Sequence, residues 1–291
     1  MDVKEMMEEF EVYLGNKAAS TRRSYMESLR AFAFDGLPTK KKVAQKTNEW
    51  IDDGLSYNTI LSRYAALKKF LNTFYDSFDS REIKNMLDYM GELKGITPET
   101  VYATPKQVER IINAGSHREA LAVAFMFYMG MRISDVANLK MDDFKRTKTG
   151  DVFLKYRDKK THKLHEVKLF ENVNTLYHLY VFGQRKVTIE KWKPSQNIPE
   201  EDKQYLLVGQ KGRLIKRTIQ REVKKLCVYC GFPDLHCHSF RHGCGTAYAK
   251  AGASANVIQK VLGHSNMNTS MRYVHLAEED VYKIGKDVFG V

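Results

Sequence analysis

A single interruption constrains this chain more than any other feature. Residues 95–107 read GITPETVYATPKQ, with Gly95, Pro98 and Pro105 set in a polar stretch. Glycine and proline are the strongest local punctuators of helix and strand, and the sequence changes character across them. Before the break, every apolar pattern has helical spacing. Val3, Met6, Met7, Phe10, Tyr13 and Leu14 share one face; Thr21 opens a second helix with Tyr25, Leu29 and Phe32 inside; a third covers 42–53. The fourth, TILSRYAALKKFLNTFY, turns Ile60, Tyr64, Leu67, Phe70, Leu71 and Phe74 inward, and a short fifth covers 81–90. Helices this short are marginal alone and must pack as a bundle.

After the break, Thr104 caps a new helix with Pro105 in its first turn. Helices are expected at 105–114 and 118–128, with a short one after Arg132. Strand signals appear only here: VFLKYR (152–157) and HEVKLF (165–170) flank a Lys-rich turn and read as a β-hairpin, and YLLVG (205–209) reads as a third short strand. Helices resume near 172–182, 215–230, 239–251 and 255–262, and a last one follows at 278–289. The expected fold is mainly α with a small β-hairpin or sheet (α+β), organised as a helical bundle over 1–94, a linker over 95–104 and a second domain over 105–291.

The charge is as uneven as the structure. The net charge is +12, yet residues 1–95 hold 15 basic and 15 acidic side chains, so the excess lies wholly in residues 96–291. A polyanion, nucleic acid first, is the expected partner of that part. No run approaches the ~18 apolar residues of a membrane span, and the acidic, amphipathic start MDVKEMMEEF is no signal peptide. The expectation is a cytoplasmic protein with no membrane partner.

The four cysteines, Cys227, Cys230, Cys237 and Cys244, fall within 18 residues, and His236 and His238 lie among them. Zinc ligand pairs usually stand about 12 or more residues apart. The gap here is shorter, so buried free thiols are expected rather than a metal centre.

Chemistry is concentrated in three segments: YMGMRISDVANLK with Arg132, HSFRHGCGT with His238 and Arg241, and LGHSNMNTSMRY with His264 and, nine residues on, Tyr273. A phosphodiester repels nucleophiles until its two non-bridging oxygens are neutralised and the attacking group is held in line. Arginine suits that task, being permanently charged and forked. A phenol, with pKa near ~10, needs a base or a stabilised phenolate. Either arginine alone would read as an ordinary surface or structural residue; the constellation changes that weighting. The sequence shows no Asp/Glu cluster with metal spacing, which argues against a two-metal nuclease.

Together these segments resemble the tyrosine recombinase/phage integrase family, nearest in size and layout to its Xer-type members. MGMRISDVANLKMDDF matches the first arginine box, HSFRHGCGT the H-x-x-R-H box, and LGHSNMNTSMRYVH the closing L-G-H…Y box. The resemblance implies a site-specific DNA recombinase that forms a 3′-phosphotyrosyl intermediate without metal, ATP or other cofactor. It implies that Arg132 and Arg241 clamp the scissile phosphate, that His238 manages protons, that His264 bonds the phosphate, and that Tyr273 attacks. A type IB topoisomerase and a DNA-binding relative that has lost catalysis are the alternatives.

Two departures stand out. Family members carry G-K-G-x-K-x-R at the hairpin, where this chain reads DKKTHKLHEVKL. Aligning Val167–Lys168–Leu169 with the family's V-P-L places Lys160 on the general-acid lysine, with Lys159 and Lys163 as register alternatives. His242–Gly243–Cys244–Gly245 is softer than the family's apolar continuation and is expected to loosen its helix. Asp135, three residues after Arg132, reads either as an acid orienting an arginine or as an ordinary i, i+3 surface pair.

For DNA contact the candidates are Lys211, Arg213, Lys216, Arg217 and Arg221, with Lys224 and Lys225 beyond them. In the N-terminal bundle, Arg22, Arg23, Arg30, Arg63, Lys68 and Lys69 are expected to form one basic face, with the acidic first helix lying elsewhere. The resemblance further implies that the helix at 278–289 docks on a neighbouring copy, giving a tetramer on two double-stranded recombination sites.

Overall fold

The computed structural model describes residues 2–93, 100–159, 162–264 and 266–277, without the side chains of 275–277. The chain forms two compact units, 1–99 and 100–291. Among the described residues, no helix is long and apolar enough to cross a membrane.

The first unit is all helical: α1 (Val3–Tyr13), α2 (Ala19–Arg30), α3 (Lys40–Asp52), α4 (Tyr57–Thr73) and α5 (Ser80–Glu92). Local chemistry explains the starts. Asp2 caps α1 by accepting from the amides of Lys4 and Glu5 at 2.7 and 2.9 Å, and Glu5 returns a bond to Asp2. Asp79 and Ser56 do the same job for α5 and α4. Met6, Phe10, Leu14, Leu67, Phe70, Leu71 and Met86 are buried together and form the core. Thr47 and Tyr64 bury their hydroxyls against each other at 2.7 Å, so neither polar group is left unsatisfied.

The second unit opens with Thr100–Thr104, a segment that the sequence reading gives to the linker; residues 94–99 lie outside the described residues. Thr104 and Gln107 form a reciprocal capping box at the start of α6 (Pro105–Ala114), and Ser116 with Glu119 does so for α7 (His117–Phe127). A short α8 (Ile133–Val136) follows Arg132. The expected hairpin is present as β2 (Val152–Arg157) and β3 (Leu164–Lys168), with Leu154 opposite Val167. A third strand missing from the sequence reading, β1 (Phe144–Arg146), pairs antiparallel with β2. The stretch 205–209 does not join this sheet: β4 (Val208–Gly209) pairs only with β5 (Gly212–Arg213).

Helices α9 (Glu171–Leu179), α10 (Lys186–Glu190), α11 (Lys216–Tyr229), α12 (Cys237–Lys250), α13 (Ala255–Leu262) and α14 (Met267–Ala277) complete the described unit. The core gathers on α7, whose residues Ala120–Phe127 are all buried, so it is the central helix. α12 packs directly on it. α12 also runs unbroken through Gly243 and Gly245, contrary to the expected softening. A Cβ on Gly243 would lie 2.1 Å from the carbonyl oxygen of Ala103, whose own amide donates to Ser239 at 2.9 Å. That glycine is an approach point for backbone rather than a weak spot. Gly243→Ala is therefore expected to destabilise the second unit by about 1–3 kcal/mol. A thermal midpoint for that unit equal to wild type would contradict the close contact.

Candidate active site

α12 carries three of the chemically important side chains. His238 and His242 stand four residues apart on one face, and their rings meet edge to face with centroids 4.5 Å apart. Gly245 continues that face, and against it lies the ring of Tyr273: a Cβ on Gly245 would be 2.7 Å from the ring carbon Cε1. The absent side chain is what makes room for the tyrosine. Tyr273 sits on α14, a helix that the sequence reading leaves out because NMNTSMRY is too polar to announce one. Tertiary contacts hold it instead, through buried Ser270 and Tyr273.

The Tyr273 hydroxyl lies 2.8 Å from Nδ1 of His242. His264 stacks on the same ring, with centroids 6.1 Å apart and planes within 10°, while its own Nδ1 meets the Ser270 hydroxyl at 2.9 Å. The sequence reading named His238 and His264 as partners for the phenol and missed His242. The signal was present: His242 follows Arg241 directly and repeats His238 one helical turn on.

The two arginines converge on one turn. Arg241, only 4% exposed, donates through Nη1 to the Gly130 carbonyl and through Nη2 to the Leu262 carbonyl. Arg132, half-buried, donates through Nη2 to the Gly263 carbonyl at 3.3 Å. Adjacent carbonyls at the end of α13 thus hold both guanidiniums. The turn needs Gly263, which is left-handed at φ +59°. Gly130 is equally constrained, at φ +61° with Leu262 Cδ2 2.8 Å from where a Cβ would stand. An arginine has five N–H donors, so donors beyond these backbone bonds remain for an anion.

Burial and charge set the protonation states. Burial, then the positive charge of Arg132, lowers Arg241 to about 10, which still leaves it charged at neutral pH. His242 is lowered to about 4 by burial and by the neighbouring His238 and Arg241. His264 is lowered to about 4 by burial and both arginines. Both imidazoles are therefore neutral at pH 7, and Nδ1 of His242 is placed to accept the phenolic proton in the tautomer that carries its hydrogen on Nε2. Burial raises Tyr273 to about 12, so the phenol itself is protonated.

Asp135 is 3% exposed, which excludes a surface pair, and its Oδ1 accepts the backbone amide of Lys159 at 2.9 Å. It thus ties the hairpin turn to the segment carrying Arg132. Lys160, the aligned general acid, lies outside the described residues, as do residues 278–289.

The other candidates are spread more widely. Lys216, Arg217 and Arg221 form an exposed stripe on α11, whose opposite face buries Ile219, Val223 and Leu226. Lys211 is exposed nearby, whereas Arg213 lies over the Tyr205 ring at 4.3 Å and faces Asp202. Lys224 donates to the Pro233 and Leu235 carbonyls, a structural use. In the first unit, Arg23 and Lys68 are exposed and Arg22 is half-buried. Arg63 is drawn over the Trp50 ring at 4.2 Å. The acidic first helix does not lie elsewhere: Glu11 pairs with Arg30 at 3.6 Å and Tyr13 accepts from Lys69 at 2.9 Å, so α1 screens part of the expected basic face. The four cysteines are buried free thiols. Burial raises Cys227 to about 11 and Cys237 to about 12, which disfavours the thiolate that a metal would need.

The depressed histidines have a thermodynamic consequence. With folded values of about 4 against an ordinary 6.5, the folded state binds fewer protons than the unfolded state between those limits. Stability present above pH 6.5 is therefore lost as pH falls toward 4. NMR titration of the DNA-free protein should place His242 and His264 near 4, and midpoints near 6.5 would show that the pair is solvated.

Comparison with known proteins supports a single family. The phage integrase family model matches residues 102–280, more than half of the chain. Transposase B of transposon Tn554 from Staphylococcus aureus (strain Mu50) is 28% identical over 78% of this chain, and the chain spans only 36% of that protein's length. A tyrosine recombinase of Thermosipho africanus is 22% identical, covering 96% of this chain and 97% of its own. Among solved structures, the Tn1549 transposon integrase in complex with transposon right end DNA superposes with a TM-score of 0.75 at 19% identity, over 100% of both chains. The XerA recombinase superposes with a TM-score of 0.52 at 20% identity, over 98% of both. The matched region contains Arg132, Arg241, His264 and Tyr273, and on the strength of that match the chain belongs to the phage integrase family of tyrosine recombinases.

Proposed function

We propose that this chain is a site-specific DNA recombinase that cleaves and rejoins strands through a phosphotyrosine at Tyr273. One observation carries the reading: the Tyr273 hydroxyl meets a neutral imidazole at 2.8 Å beside two arginines gathered on a single turn. Arg132 and Arg241 neutralise the non-bridging oxygens of the scissile phosphate. His264, fixed by Ser270, bonds the phosphate. His242 takes the phenolic proton as the Tyr273 oxygen attacks phosphorus, and His238 supports it from one turn earlier. A lysine of the hairpin turn, Lys160 in the family alignment with Lys159 and Lys163 as alternatives, protonates the departing 5′ oxygen. The bond energy stays in the new ester, and a 5′ hydroxyl from a second strand reverses the step, so the chemistry consumes neither ATP nor metal.

Double-stranded DNA with specific recombination sites is the proposed partner, engaged on the nucleoid in the cytoplasm. Lys211, Arg213, Lys216, Arg217 and Arg221 supply phosphate contacts from the second unit, and Arg22, Arg23, Arg63 and Lys68 from the first. Two sites held by four copies, linked through residues 278–289, make the Xer-like assembly.

Three measurements test these statements. A nicked suicide duplex carrying a site that the protein binds should yield a denaturant-resistant adduct with wild type and none with Tyr273→Phe; an adduct that survives that change names another nucleophile. Strand exchange between two target sites should occur, and relaxation of supercoils without exchange would favour the topoisomerase alternative. Replacing Lys216, Arg217 or Arg221 by Ala should lower the slope of log K against log salt by about 1 each; an unchanged slope removes α11 from the interface.

A further inference from the structure

Beyond the arginines, histidines and tyrosine lies a histidine–carboxylate contact that the proposed chemistry does not use. Asp158 begins the hairpin turn and is 1% exposed. Its Oδ2 lies 3.1 Å from Nε2 of His165 on the returning strand. His165 stands opposite Tyr156 in the register, and its ring stacks on that of Tyr156 at 5.0 Å with planes within 17°. His165 also approaches the turn that holds Arg132: its Cε1 is 3.0 Å from where a Cβ on Gly263 would stand. The Gly263 carbonyl is the one that accepts from Arg132.

The turn is thus held at both shoulders. At its start, Asp135 binds the Lys159 amide, three residues along from Arg132. At its end, His165 stacks on Tyr156 and approaches Gly263. Across its neck, the Asp158 amide donates to Lys163 and the His162 amide donates to Asp158, both at 3.1 Å. Each anchor leads back to Arg132 by a separate path. A pair that served only the hairpin's stability would not need to reach the α13 turn.

We propose that Asp158 and His165 are positioning residues: they lock the lysine-bearing turn to the Gly263 turn, so that the proton donor and the phosphate clamp are set as one unit. The proposal rests on the recombinase reading above. In cleavage, the Tyr273 oxygen–phosphorus bond forms while the phosphorus–O5′ bond breaks. The phenolic proton passes to His242, and a turn lysine transfers one to the 5′ oxygen. Loosening the latch should impair that last transfer selectively.

A leaving group that needs no proton separates this role from simple stabilisation. The test uses the nicked duplex on which wild type forms its adduct, made with either an ordinary phosphodiester or a 5′-bridging phosphorothiolate, whose sulfur departs as a thiolate. His165→Phe keeps a ring on Tyr156 but loses the bond to Asp158. On the phosphodiester, adduct formation should fall by about 10- to 100-fold; on the phosphorothiolate it should fall by less than about threefold. His165→Gln, which retains a donor, should recover most of the phosphodiester rate. His165→Leu replaces the Phe variant if the latter does not fold. Equal losses on both substrates, or no loss on the phosphodiester, overturn the proposal. Absence of any Tyr273-linked adduct from wild type on either substrate overturns the recombinase reading itself, and this one with it.

Discussion

Two guanidinium groups held close together, one of them almost wholly buried, are the constraint on which the rest of the second unit depends. Taking one such charge out of water costs several kcal/mol even after relaxation, and the neighbouring charge adds repulsion. Among the described residues, neither Arg132 nor Arg241 has a carboxylate ion pair to offset this cost. Backbone dipoles do the work instead, through the carbonyls of Gly130, Leu262 and Gly263. Two of those carbonyls belong to glycines in left-handed backbone, Gly130 at φ +61° and Gly263 at φ +59°. Burial, joined by the positive charge nearby, keeps His242 and His264 neutral. The result is a cationic centre whose geometry is set by the protein's own backbone.

Much of this was legible in the sequence, for identifiable reasons. Amphipathic helices with long apolar faces, such as α4 and α11, are visible because burial alone determines their period. The three boxes are visible because the chemistry needs particular side chains at particular spacings. Other elements are set by contacts that one-dimensional pattern does not record. β1 has three residues and pairs only because β2 offers an edge. α14 is too polar to announce itself, and its helix is held by Tyr273 and Ser270 reaching partners on α12 and the α13 turn. His242 escaped notice because Arg241 beside it carries the motif's recognised role. Its value lies in a direction, toward Tyr273, that only the packing of α14 supplies.

The glycines of α12 show the same limit from the other side. By intrinsic propensity, Gly243 and Gly245 weaken a helix. In place, each removes an atom that would collide, one with the Ala103 carbonyl and the other with the Tyr273 ring. Propensity counts what a residue does to its own helix, whereas here the deciding quantity is how near a neighbour comes.

The contact at Ala103 reaches further than helix packing. Its amide is bonded to Ser239 and its carbonyl lies over Gly243, so one residue spans the helical turn that bears Arg241 and His242. The segment that opens the second unit is therefore packed against α12. A gene fragment cut at residue 105 would remove the strip that covers Gly243, so a truncation there disturbs the packing of the helix that carries Arg241 and His242.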